Sequence, residues 1–137
     1  MTNLTNINSS LITASKEGNI EQVKELLSNP QIDVNMQDED GNTALIMAAS
    51  WGRKEIVEML ITHGADVNVQ EEDGWTALMW TANYGYKEIA ELLITHGADV
   101  NVQEEDGWTA LILAANYGYK EIAELLIKNG ARFYKEY

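Results

Sequence analysis

The sequence has 137 residues, the size of a single domain, and 45% of them are apolar, which is enough for a packed core. Its 22 acidic residues outnumber the 9 basic ones, and the formal net charge of −13 argues against nucleic acid and anionic membrane surfaces as partners. The sequence contains no cysteine, which excludes disulfides, a thiol nucleophile and thiolate zinc sites.

The first ten residues lack both the basic region and the long apolar region of a secretory signal. No apolar stretch approaches the roughly 20 residues that a membrane-spanning helix needs. We therefore expect a soluble, cytoplasmic protein that does not associate with membranes.

Glycines recur along the chain with a period of 33 residues, as at Gly41, Gly74 and Gly107. Residues 66–98 are identical to residues 99–131 at 28 of 33 positions. A period of this length predicts a repeat protein, in which each unit buries its apolar face against its neighbours.

Each unit is predicted to contain two short helices. In the best example, Thr76 follows a turn and is placed to cap a helix over residues 77–84, which Gly85 ends. A second helix over residues 87–95 has apolar residues at spacings of three and four, and these can be buried along one side. Helices of 8–9 residues are too short to be stable alone in water, so the units must stack.

The repeated pattern Asp-Gly-x-Thr-Ala-Leu, followed by Glu-Ile, Leu-Ile and Gly-Ala-Asp-Val-Asn, resembles the ankyrin repeat. It begins at Asp40, Asp73 and Asp106, with a divergent end in the last copy, and the resemblance covers the chain after residue 10. It implies an all-α repeat fold, an ankyrin-type solenoid of stacked helix-turn-helix units with projecting β-hairpin fingers. It also implies a recognition scaffold, whose partners contact the fingers and the concave side of the first helices.

We divide the chain into an N-terminal tail (1–8), an N-terminal capping repeat (9–39), two repeats (40–72 and 73–105) and a C-terminal repeat (106–137). Polar residues replace apolar ones in the first repeat, as expected of a cap. The last repeat differs little from its neighbour, so its outer side is expected to stay partly apolar. We expect a monomer with weak end-to-end self-association.

Catalytic and metal sites are not indicated. His63 and His96 share the last turn of the second helix, where an imidazole can hydrogen-bond free carbonyls. The acidic turn at 38–41 is similar to the centre of a calcium loop, but Met36 and Met47 stand where that loop needs oxygen ligands. No phosphate-binding loop or nucleophile elbow occurs. We expect no enzymatic activity, no metal and no cofactor.

The tryptophans and several tyrosines fall on positions that would face a partner. One position follows the turn glycine, the second lies on the first helix, and the third lies four residues further on, with a polar neighbour. Trp and Tyr form many binding hot spots, and acidic fingers would attract a basic partner. The predicted partner-binding residues are Asn42, Met47, Trp51, Glu72, Asp73, Trp75, Trp80, Asn83, Tyr84, Glu105, Asp106, Trp108, Leu113, Asn116 and Tyr117.

The rings also have a second interpretation, in which they fold onto neighbouring fingers as packing, and the finger acids then only keep the protein soluble. Tyr86 and Tyr119 are assigned to packing between repeats. Our main hypothesis is a non-catalytic module that binds a protein or peptide with apolar anchors and a basic rim through a concave aromatic strip and acidic fingers. The alternative is a structural or self-assembling repeat scaffold, engineered or recently duplicated, without a dedicated ligand.

Overall fold

The computed structural model of the chain describes residues 4–133, with side chains from residue 6 onward. Two helices, over residues 77–84 and 87–95, have the bounds that the sequence pattern predicts. The helices of the described residues are α1 (Leu4–Glu17), α2 (Ile20–Leu27), α3 (Ala44–Ser50), α4 (Lys54–Thr62), α5 (Ala77–Tyr84), α6 (Lys87–Thr95), α7 (Ala110–Asn116) and α8 (Lys120–Lys128).

Threonine side chains start the inner helices α3, α5 and α7. The Oγ1 atom of Thr76 accepts a hydrogen bond of 3.2 Å from the backbone N–H of Met79, and Thr43 and Thr109 do the same in their repeats. These bonds satisfy N–H groups that a helix cannot satisfy internally. At the other end of α5, Gly85 has a φ of 81°, a left-handed conformation that ends the helix. The predicted capping residues are confirmed.

The helices form two layers. The helices α1, α3, α5 and α7 pack in succession as an inner layer, and α2, α4, α6 and α8 form an outer layer. Leucines at one repeated position fill the core, and alanines let the inner helices approach closely. The buried leucines are Leu45, Leu78 and Leu111, and the buried alanines beside them include Ala48, Ala82 and Ala114. This architecture confirms the predicted all-α repeat fold.

The fingers are the turns at residues 38–42, 71–75 and 104–108. No β-strand occurs within residues 4–133, so the predicted β-hairpins are not confirmed. At the boundary of the second and third repeats, the backbone N–H of Glu71 donates to the carbonyl of Trp75 at 2.9 Å, but this pairing does not extend into a ladder. The Glu71 carboxylate instead accepts the N–H groups of Asp73 and Trp75, at 2.8 and 2.9 Å. A side chain that takes up these donors holds a tight turn in place of a hairpin.

An asparagine in each finger region ties one repeat to the next. The Oδ1 atom of Asn68 accepts from the N–H of Asp99 at 2.7 Å, and its Nδ2 donates to the carbonyl of Gly97 at 3.1 Å. Asn35 and Asn101 make the equivalent pairs of bonds. The asparagines therefore form a regular hydrogen-bonded ladder along the repeats.

The first helix, α1, begins at Leu4, within the segment that we assign to the N-terminal tail. Ile7 and Asn8 are buried, and the Asn8 side chain accepts a hydrogen bond of 2.8 Å from the N–H of Asp33. The polar sequence of this segment does not indicate a helix, because Asn8, a polar residue, is buried and hydrogen-bonded within the first repeat. Residues 1–3 of the tail and 134–137 of the last repeat lie outside the described residues. No helix in the described part is long and apolar enough to span a membrane.

Candidate interaction surface

Four rings of the predicted aromatic strip are solvent-exposed. Trp51 and Tyr117 are 52% and 55% exposed, and Tyr84 and Trp108 are also exposed. Trp51 and Tyr117 directly follow α3 and α7, and Tyr84 is the last residue of α5. The helix ends therefore present these three rings at the same position in successive repeats.

The other two tryptophans pack against each other. The ring centroids of Trp75 and Trp80 lie 4.3 Å apart, and Trp80 stacks on Tyr84 at 5.8 Å. Both tryptophans are half-buried against the core. The Nε1 atom of Trp80 is buried and has no hydrogen-bond partner in the structure. For Trp75 and Trp80, the interpretation as packing residues thus fits better than the interpretation as solvent-exposed rings.

The aliphatic residues at the Trp80 position do not extend the exposed strip. Leu113 is only 3% exposed, which corrects its assignment as a solvent-facing residue, and Met47 is half-buried. A leucine side chain is shorter than an indole, so its neighbours cover it. Among the polar neighbours of the strip, Asn42 and Asn83 are half-buried and Asn116 is exposed.

A groove of about 440 Å³ lies between the third and fourth repeats. Trp75 and Trp108, from adjacent fingers, line it together with Asn83 near the end of α5, Leu113 in the middle of α7 and Tyr117 just after α7. All five are predicted partner-binding residues. The structure thus brings part of the predicted site together in one open groove, and Leu113 contributes to its lining despite its burial.

The acidic residues of the fingers divide into two groups. The first acid of each finger holds its turn: Asp38, Glu71 and Glu104 each accept two backbone N–H groups of their own loop. The remaining acids of the three fingers are exposed. They are Glu39, Asp40, Glu72, Asp73, Glu105 and Asp106, of which Asp73, Glu105 and Asp106 line the groove together with the turn-forming Glu104.

The outer layer differs from the groove because two of its lysines form ion pairs with glutamates of the next repeat. Lys54 donates to Glu88 at 2.8 Å, and Lys87 lies 2.9 Å from Glu121 one repeat further on. These contacts raise the pKa of both lysines and lower the pKa of both glutamates, chiefly through the side-chain hydrogen bond. A wide depression of about 1020 Å³ on this face is lined by these four residues together with the carboxylates of Glu58 and Glu91. Both of its lysines are therefore already paired within the protein.

The two histidines are helix-capping residues, as predicted. Nδ1 of His63 lies 2.8 Å from the carbonyl of Met59, and Nδ1 of His96 lies 2.9 Å from that of Leu92. The side chain of Asn129, at the same position in the last repeat, donates to its helix in the same way, at 2.9 Å. No group of three or more residues suited to a metal ion occurs within the described residues.

Sequence reasoning missed one contact of the strip. The Nζ atom of Lys16, in α1, lies 5.5 Å from the ring centroid of Trp51. Alignment of the repeats could have indicated this contact, because Lys16 occupies the position that precedes the aromatic residue in every later repeat.

Stacked helix-turn-helix units with an open groove between fingers and inner helices define a repeat protein of the solenoid class. The sequence model of a family described as ankyrin repeats (3 copies) matches residues 2–71 and, again, residues 65–136. The chain therefore belongs to the ankyrin-repeat family, whose members are a non-catalytic type of module that generally mediates protein–protein interaction. A search of the curated proteins finds no match.

Proposed function

We propose that this protein is a non-catalytic interaction module that binds a protein or peptide in the groove between its fingers and inner helices. The observation that carries the proposal is the convergence of exposed rings and carboxylates at one groove. Trp108 and Tyr117 are exposed there beside Asp73, Glu105 and Asp106.

The chemistry of the groove defines the partner. Large rings bury much surface at a low cost in side-chain entropy, so Trp108 and Tyr117 are suited to act as anchors. The surrounding carboxylates favour a basic partner, and a net charge of −13 speeds its approach at low ionic strength. The partner is therefore a protein or peptide with apolar and basic side chains.

A second function, self-assembly, is favoured by the last repeat. A Cβ atom on Gly74 would lie 3.1 Å from the next finger, whereas nothing lies within 4 Å of such an atom on Gly107. Ile127 and Phe133 are exposed at the same end of the protein. Among the described residues no repeat covers this face, and a second copy of the chain that packs on it would bury these side chains.

The test of groove binding is selection of peptides from a random library, followed by affinity measurement on variants. Trp108→Ala and Tyr117→Ala remove exposed rings, so both variants should keep the fold and bind selected peptides at least about tenfold more weakly. Phe133→Ala is the matched control, because it removes an exposed ring outside the groove. Equal affinity of all three variants, or a library that yields no binder, would contradict the proposal.

A further inference from the structure

One ring of the aromatic strip already has a cation beside its face. The Nζ atom of Lys16 lies 5.5 Å from the ring centroid of Trp51, between the first and second repeats. At this distance, the negative face of an indole attracts a positive charge. The protein therefore supplies its own cation to the first ring of the strip.

The groove between the third and fourth repeats has the same position without a cation. In the repeat alignment, Lys16 corresponds to Asn83, and Trp51 corresponds to Tyr117. Asn83 and Tyr117 both line the groove. The ring of Tyr117 thus has a neutral amide where the ring of Trp51 has an ammonium group.

The charges of this groove are also without cation partners. Asp73, Glu105 and Asp106 line it, and none of these three carboxylates forms an ion pair among the described residues. A purely apolar anchor would take these carboxylates out of water with no compensation. A cation on an apolar stem would contact the rings and also pair with the carboxylates.

We propose that this groove binds a lysine or arginine side chain of a partner peptide, in the place that Lys16 takes at the first repeat interface. The proposal rests on the proposed function and makes it more specific. The partner residue that occupies the centre of the groove is cationic, and apolar residues of the partner contact the surrounding rings.

The test is a titration of the full chain, followed by NMR of the indole N–H groups at low ionic strength. The probes are the N-acetyl methylamides of lysine, arginine and norleucine, of which norleucine has an apolar chain without the charge. The two cationic probes should shift the indole signals of Trp75 and Trp108 and bind at least about threefold more tightly than norleucine. The signal of Trp51 should move least, because Lys16 already lies over its ring. The tighter of the two cationic probes identifies the preferred residue.

Two lysine variants test the position itself. Asn83→Lys places a cation of the chain beside Tyr117 and should lower the affinity for the two cationic probes. Ser50→Lys adds the same charge at the corresponding position one repeat earlier, outside the groove, and should leave binding unchanged.

The inference is overturned if norleucine binds as tightly as the cations, if no probe shifts the indole signals, or if Asn83→Lys binds the cations like the unmodified protein. None of these results would contradict the proposed function. That proposal fails separately if selected peptides bind equally well to the groove variants and to Phe133→Ala.

Discussion

Tyr119 occupies the space that a side chain on Gly85 would need, since a Cβ atom on that glycine would lie 2.5 Å from Cε1 of the tyrosine. The relationship recurs one repeat earlier, where Tyr86 lies 3.0 Å from the equivalent atom of Gly52. At the first interface, the Arg53 side chain takes the place of the ring, beside Gly18. The glycine after each of the helices α1, α3 and α5 therefore also admits a side chain from the next repeat, which confirms that Tyr86 and Tyr119 pack between repeats.

Replacement of this glycine should destabilise the protein for two separable reasons. In Gly85→Ala, alanine must adopt a φ near 81°, at a cost of about 1–2 kcal/mol, and must also displace the Tyr119 ring, at a further cost of about 1–3 kcal/mol. Urea unfolding followed by circular dichroism measures the sum.

The matched control is Gly118→Ala, because Gly118 has a φ of 79° and nothing within 4 Å of its Cβ position. It should show only the backbone cost. Equal destabilisation by the two variants would mean that the tyrosine ring moves away freely and that its packing against Gly85 contributes nothing.

The asparagine ladder should contribute measurably to the coupling between repeats. Asn68→Ala removes a donor to Gly97 and an acceptor for the N–H of Asp99, so we expect a loss of about 1–2 kcal/mol in the free energy of unfolding. Asn116→Ala removes an exposed amide at the end of α7 and should change stability by less than about 0.5 kcal/mol. Indistinguishable urea midpoints for the two variants would show that water replaces the hydrogen bonds of the ladder without a loss of stability.

The sequence predicts the helices of the repeats well because their determinants are local. Thr76 starts α5 and Gly85 ends it through bonds within a few residues of each, so the pattern alone sets both bounds. The fingers are harder to predict, because the Glu71 carboxylate takes the N–H groups that a strand would have used, and its orientation is not visible in the pattern.

The exposure of the rings depends on neighbours that the pattern cannot show. Trp75 and Trp80 are five residues apart and belong to different elements, yet their rings meet at 4.3 Å and cover each other. Leu113 stands at the same repeat position as Trp80 but is almost completely buried. Repeat position therefore predicts which residues approach the groove, but not how much of each reaches solvent.

The lysine–glutamate pairs of the outer layer should be visible in titrations. Lys87 lowers the pKa of Glu121, so Lys87→Met should raise that pKa toward its usual value of 4.5. Carbon-13 NMR of the side-chain carboxyl measures the change. Lys120→Met, at the same position of the last repeat, should leave it unchanged, because Lys120 forms no ion pair within the described residues. A normal pKa of Glu121 in the unmodified protein would show that this pair does not persist in solution.

The same pairs define the sign of their pH dependence. A carboxyl whose pKa is lowered by folding stabilises the protein above its unfolded pKa, and this stabilisation is lost as the pH falls through the folded value. A lysine whose pKa is raised stabilises the protein below its unfolded pKa of 10.5, and that contribution is lost as the pH rises through the folded value. All four groups are exposed, so the free energy of unfolding at neutral pH should change little in Lys87→Met. The change should be smaller than in Asn68→Ala.

The outer side of the last repeat should promote weak association of the chain with itself. Ile127 is exposed, while Ile94, at the same position of the preceding repeat, is half-buried. Two copies that meet through this end would remove Ile127 from water, so sedimentation velocity should show dimers as the protein concentration approaches the millimolar range. Ile127→Lys should abolish the dimers and keep the fold, because the new charge would lie at the contact. Thr95→Lys adds the same charge at an exposed position of α6 and should leave the association unchanged. Purely monomeric sedimentation of the unmodified chain at these concentrations would refute the association, since an apolar end that stays free at high concentration contributes nothing to assembly.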